Sequence, residues 1–165
     1  MWPIIILLLV VALFFLARSR FEIRAEIMLN ARMEDVWQAI IAMDQYHRWN
    51  TQLAYLGGEV ALGSQVKLKL SVAGADPYEF TPTINHWQPQ QTFGWIARTG
   101  LPYVFDGEHY FELQEKQGQV WLINREVYSG ILTPVIRRQP MMKNAPAGFE
   151  QMNEELKQYL DSKPA

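Results

Sequence analysis

The sequence predicts an α+β domain with one curved antiparallel sheet of about six to seven strands and one long final helix, and a separate apolar helix in front. Three observations carry this reading. Apolar residues recur with period two through much of the stretch from 66 to 128, and at helical spacing on either side of it. The opening residues 2–17 hold no charge. At 165 residues the chain has length for one domain with a real core.

The opening run WPIIILLLVVALFFLA, residues 2–17, carries Pro3 where a first helical turn tolerates it. No face of the run is polar, so a one-sided core helix does not fit. A transmembrane anchor or an uncleaved signal is expected. The run is shorter than the roughly 20 residues of an average span. Trp2 at one interface and snorkelling Arg18, Arg20 and Arg24 at the other would extend its reach. Ala17-Arg18-Ser19 resembles a small-x-small cleavage site, which keeps a secretory signal open, although the basic start of such signals is missing. Arginines on the carboxyl side place the following domain, residues 21–162, on the cytoplasmic face of a cell inner membrane, held by a single pass.

Phe21 to Leu29 alternates apolar and polar residues and reads as a strand. Asn30 is the expected helix N-cap, with Glu34 and Asp35 in the first turn. Met33, Val36, Trp37, Ile40 and Ile41 then recur at helical spacing, and Asp44 starts a second short helix. Val66, Leu68, Leu70 and Val72 alternate with polar residues as in a half-exposed strand. GADP, residues 74–77, signals a turn, and Tyr78 to Trp87 the next strand, with Pro82 at a bulge or edge. Gln91 to Arg98 is another strand. From Pro146 onward, Phe149, Met152, Leu156, Tyr159 and Leu160 line one face of a final helix.

Several function classes drop out. The net charge is −2 with both signs mixed, so nothing points to nucleic acid. No cysteine is present, which excludes disulfides, thiolate metal sites and a cysteine nucleophile. GxSxG, P-loop and GxGxxG motifs are missing, and His47, His86 and His109 share no ligand spacing. No metal and no cofactor is expected.

The residues that remain carry a resemblance. VWQAIIAMDQYHRWN, GEHYFEL, REVYSGIL and GFEQMNEELK, taken in order, resemble the SRPBCC superfamily, the START and birch-pollen-allergen fold. Within it they look most like bacterial proteins of the polyketide cyclase/dehydrase and lipid-transport-like branch. The order of strand, helix pair, curved sheet and long helix is that of the helix-grip fold. The resemblance implies a largely apolar cavity between sheet and final helix, taking a hydrophobic small molecule or lipid. It implies no single chemistry, because the fold also hosts cyclases and chaperone activators. Family members commonly have Pro after a WN pair near the cavity mouth, where this chain has Thr51.

The segment GEHYFELQEKQGQVWLINREVYSG defines the site expectation. With Gln117-Gly118 as a two-residue turn, His109 faces Glu126, Phe111 faces Asn124 and Gly107 faces Tyr128, all on one surface. Phe105, Phe111 and Leu113 favour that surface as the inward one, although Trp121, Ile123 and Val127 make the opposite surface apolar as well. His109 and Glu126 then form a buried pair, each satisfying the other. Three roles are weighed for it: a structural pair, a polar anchor for a ligand oxygen, and acid–base catalysis through His109. The ligand-binding candidates are His109, Glu126, Phe111, Asn124, Tyr128, Trp49 and Trp95; no catalytic residue is assigned beyond His109 and Glu126. The expected function is membrane-tethered binding or transport of a hydrophobic molecule. The alternatives are a cyclase/dehydrase-like enzyme acting on a carbonyl compound, and a protein-interaction module using Trp121, Ile123 and Val127.

Overall fold

A computed structural model describes residues 2–72 and 75–163, without the side chains of 8–14 and 16. Helix α1 spans Trp2–Ala17 and strand β1 spans Arg20–Leu29. Helix α2, Met33–Ile41, and a 3-10 helix, Met43–Arg48, follow. Strands β2 (Leu53–Gly58), β3 (Val66–Leu70) and β4 (Tyr78–Phe80) form one antiparallel sheet. Strands β5 (Thr83–Gln88), β6 (Thr92–Arg98), β7 (Asp106–Lys116) and β8 (Gln119–Ser129) join β1 in a second, in the order β1-β8-β7-β6-β5. Short helix α3, Thr133–Ile136, leads to the long α4, Pro140–Asp161.

Among the described residues there are thus eight strands in two sheets rather than six or seven in one. The break falls at Pro82: with no N–H to give to a ladder, it separates β4 from β5, so the single strand expected at 78–87 is two. Position 74 of the expected turn lies outside the described residues. The N-cap of α2 is Arg32, whose guanidinium holds Asp35 at 2.7 Å, and not Asn30. Helix α4 begins six residues before the expected Pro146. Pro140 takes its first turn, and Pro146 sits inside it, where the ring removes one helical hydrogen bond.

The β7–β8 hairpin has the expected register, with His109 opposite Glu126 and Lys116 opposite Gln119. Gln117 and Gly118 both have positive φ, 54° and 79°, the twist that a two-residue hairpin turn requires. Along β7 Gly107, His109, Phe111 and Leu113 are buried in alternation, with Asp106 buried as well at the strand's start, so the face of Gly107 to Leu113 is inward. Phe93, Trp95, Phe111, Leu122, Met152 and Leu156 share one core with Val36, Ile40 and Tyr46 of the helix pair. On the outer face Arg125 binds the Glu112 carboxylate through two nitrogens and lies over the Tyr110 ring. The surface expected at Trp121, Ile123 and Val127 is not open: Ile123 is 3 % exposed and the other two are half-buried.

The transmembrane anchor is not supported. Among the described residues no helix is long and apolar enough to cross a membrane. Helix α1 has 16 residues, a rise of about 24 Å against a hydrocarbon core of about 30 Å. Its described apolar side chains are nonetheless exposed, Trp2 by 80 % and Ile4 by 64 %.

Candidate functional site

A cavity of about 860 Å³ lies between the inner faces of the two sheets and α4. Three groups of residues build it. Strands β6 to β8 supply Trp95, Ala97, Arg98, Gly107, His109, Glu126 and Tyr128. The small sheet and its flanks supply Leu53, Leu70, Val72, Tyr78 and Phe80. The first half of α4 closes the space with Met141, Met142, Ala145, Phe149 and Met152. The lining is mostly apolar, with methionines at the α4 wall whose unbranched side chains adapt to different shapes.

One group of polar side chains in the lining comes from β7 and β8; others, among them Thr51, Gln52, Arg98 and Gln151, come from other elements. Glu126 accepts a 2.8 Å hydrogen bond from the Tyr128 hydroxyl through Oε2. His109 Nδ1 lies 3.8 Å from the same oxygen, beyond hydrogen-bond reach. The two residues therefore do not satisfy each other, contrary to the sequence reading; a phenol two positions along the strand reaches the carboxylate first. The imidazole is only 4 % exposed, stacked flat on Trp95 at 4.4 Å, with Phe149 of α4 at 5.4 Å. Its Nε2 has no hydrogen-bond partner among the described residues.

Gly107 makes this arrangement fit. A Cβ there would lie 2.6 Å from Glu126 Oε1, so the carboxylate rests against a strand position that has no side chain. Burial pushes the Tyr128 hydroxyl well above its ordinary range, and the adjacent Glu126 charge adds to the shift. Tyr78, across the cavity, is pushed up to about 12 by desolvation and by Glu126. Both phenols stay protonated at neutral pH, and that of Tyr128 donates to Glu126. Chemically, one end of an apolar space offers two hydroxyls, a carboxylate and an unpartnered imidazole nitrogen.

Of the sequence candidates, His109, Glu126, Tyr128 and Trp95 line the cavity. Phe111, Asn124 and Trp49 do not. Phe111 is core, beneath His109 and Trp95. Asn124 is fully buried and donates to Asn153 Oδ1 at 3.1 Å, joining α4 to β8. Trp49 packs on Tyr46 at 4.9 Å in the helix-pair core. His86, read as isolated, contacts Glu108 at 3.0 Å on the outer face. Sequence reasoning missed Gly107, Tyr78 and the methionines of α4. A glycine inside a strand was the available signal for the first; the other two depend on which turns pack across the sheet.

Thr51 stands at the rim. Its N–H donates to Glu155 Oε2 of α4 at 3.0 Å, and its hydroxyl also binds Glu155. A proline there would have no N–H to give. Gln52 adds a second tie, to the Gly148 carbonyl at 2.9 Å.

This architecture is shared with solved structures. The crystal structure of Ara h 8.0201 is similar with a TM-score of 0.65 at 10% identity, over 88% of this chain and 100% of that one. The chain has the helix-grip fold. A second helix-grip relative by structure is the Aha1 dimer from Colwellia psychrerythraea, with TM-score 0.62, 18% identity, and 88% and 99% of the two chains covered. A third is the di-domain ARO/CYC StfQ from the steffimycin biosynthetic pathway, at TM-score 0.67 and 7% identity. That match covers 86% of this chain and 51% of StfQ, so the chain spans about half of that protein. No family model matches the chain, and no curated protein matches its sequence. At these identities the likeness is one of fold.

Proposed function

We propose that this protein binds a hydrophobic small molecule or lipid carrying one polar end group, with its apolar part in the 860 Å³ cavity. The observation that carries the reading is the buried His109 Nε2, unpartnered among the described residues, in the wall of that cavity. Buried polar atoms normally have a partner, and a ligand oxygen at this end would provide one. Tyr128 and Glu126 orient the same end group, and Trp95 and Phe149 flank it. The similarity of fold to the ARO/CYC protein StfQ, from the steffimycin biosynthetic pathway, supports a ligand-binding use of the space without fixing its chemistry.

Native mass spectrometry of the purified full chain, with gentle release of anything bound, tests this. A retained apolar molecule is expected, and its loss in a variant with the space filled (Ala145→Trp) would locate it. If the folded protein carries nothing and takes up no lipid or flat apolar compound from cell extract, the reading fails.

A second reading, a cyclase/dehydrase-like enzyme acting on a carbonyl ligand, draws on the Tyr128–Glu126 hydrogen bond next to His109. It requires turnover that Tyr128→Phe abolishes while binding persists. An interaction module in the manner of a chaperone activator lacks its expected patch, since Ile123 is buried.

Membrane association through α1 belongs to the same proposal. The exposed apolar side chains of α1 favour a lipid environment, where the domain would sample bilayer-dissolved ligands at high local concentration. A full inner-membrane crossing with the domain in the cytoplasm needs Trp2 and the flanking arginines to extend the helix's reach.

A further inference from the structure

A second cavity, of about 350 Å³, lies where α1 meets the domain, apart from the apolar one. Four cationic side chains, Arg20, Arg137, Arg138 and Lys143, line it together with Ser19 and Thr133, and no carboxylate does. None of the four takes part in an ion pair among the described residues. Cations converging on one space without a counter-charge repel each other, and an anion held among them relieves this.

Thr133 shows that the space is more than a charged surface. It is 2 % exposed, it forms part of the wall, and its Oγ1 has no hydrogen-bond partner among the described residues. A hydroxyl donor in a pocket lined by three guanidinium groups matches a tetrahedral oxyanion, which accepts several charge-assisted hydrogen bonds at once.

The surroundings indicate where the anion comes from. Gly130 donates to the Ser19 carbonyl, Ile131 to that of Tyr103 and Leu132 to that of Val104. These bonds gather the end of α1, the 101–104 loop and the start of α3 at one end of the molecule. At this end Leu101, Tyr103, Leu132 and Val135 are exposed by 40 to 75 %. Exposed apolar side chains at the same end of the molecule as a basic pocket and an exposed apolar helix match the boundary between headgroups and acyl chains.

We propose that this pocket binds a phosphate group, and that the phosphate belongs to an anionic lipid headgroup. The site is separate from the apolar cavity, and its test does not depend on what that cavity holds.

The full chain in non-ionic detergent is titrated with dihexanoyl phosphatidylglycerol, with dihexanoylglycerol, which has the same tails and no phosphate, and with inorganic phosphate. The phosphatidylglycerol is expected to bind at least about tenfold tighter than dihexanoylglycerol, one charge-assisted hydrogen bond's worth, and at least about tenfold tighter than inorganic phosphate, which has no acyl chains to bury against the apolar side chains. The double variant Arg137→Gln/Arg138→Gln should lose about tenfold or more on the same arithmetic. Thr133→Val keeps every charge; it should weaken binding by about threefold to tenfold while leaving Tm unchanged or higher, because it deletes an unpartnered hydroxyl. Arg48→Gln, which removes an exposed charge elsewhere, should change nothing.

Inorganic phosphate binding as tightly as the lipid would overturn the headgroup assignment and leave a site for free phosphate. Equal binding of the lipid and its phosphate-free counterpart would overturn the phosphate site itself. So would an Arg48→Gln loss equal to that of the arginine pair, or a Thr133→Val variant that binds like the parent, since both describe diffuse attraction rather than a built pocket.

Discussion

Replacing His109 by Phe separates an anchoring histidine from a structural one. The ring is 4 % exposed, so the substitution acts inside the protein. It removes Nε2, which has no partner among the described residues, and relieves a desolvation cost of about 1–3 kcal/mol. It keeps an aromatic ring on Trp95 at the 4.4 Å stack, worth about 0.5–1.5 kcal/mol. The added volume has room, because the ring borders the 860 Å³ cavity. Nδ1 stands 3.8 Å from Glu126, too far for a hydrogen bond, so deleting that nitrogen breaks none to the carboxylate. The net change is therefore a stabilisation of about 0–2 kcal/mol, or up to roughly 6 °C in Tm for a domain of this size. Affinity for the co-purifying ligand should fall by about threefold to tenfold, the loss of one neutral hydrogen bond. Thermal unfolding of ligand-free protein and a competition titration read the two quantities. A fall in Tm of more than about 3 °C, equivalent to more than about 1 kcal/mol lost, would show that the folded protein itself uses the imidazole. A raised Tm with unchanged affinity would remove His109 from the binding site.

Three other outcomes follow from particular residues. Gly130→Ala should cost about 2 kcal/mol or more by thermal unfolding: φ is 121° and a Cβ would lie 2.6 Å from the Val104 carbonyl oxygen, so a neutral variant would disprove the tight crossing at that end. Pro146→Ala should raise stability by about 1 kcal/mol by restoring a helical hydrogen bond to the Met142 carbonyl; a lower Tm would mean the interruption is needed for packing. The Glu108 carboxyl would rise by partial burial alone, but hydrogen bonds from His86, Tyr110 and Asn85 outweigh this and hold it below its ordinary value. A depressed folded pKa stabilises the fold above the unfolded value of about 4.3, and this stabilisation is lost as pH falls through the folded one. Unfolding curves of the parent and Glu108→Gln should therefore converge between about pH 5 and 3, and a constant gap across that range would contradict the assignment.

Local periodicity carried the prediction furthest where structure is locally decided. The β7–β8 register was legible because a two-residue turn leaves no freedom: once Gln117-Gly118 is the turn, every pairing to Asp106↔Ser129 follows. The final helix was legible from Phe149, Met152 and Leu156, but its start was not. Pro140 and Pro146 both suit a first turn, and only packing of Met142 beside Ile23 and Tyr128 extends the helix back to Pro140. Asn124 and Phe111 have the same inward direction as His109, yet Asn153 and the core cover them while the cavity opens beside His109. Direction along a strand shows which face a side chain takes, not what lies opposite.

The sequence by itself determined the class of fold, the hairpin register, the inward face bearing His109 and Glu126, and the apolarity of residues 2–17, all of which depend on neighbours within a few positions or one tight turn. Tertiary structure alone decided the rest. Glu126 pairs with Tyr128 and not with His109, because Gly107 leaves space for the carboxylate on the neighbouring strand. The cavity exists because α4 stands off the sheet there, closing on the space with Met141, Met142 and Phe149. Arg20 and Arg137, more than a hundred positions apart, share a pocket because the Gly130 turn returns the chain to Ser19. Such contacts are set by the summed packing of distant segments, and no short stretch of sequence contains that information.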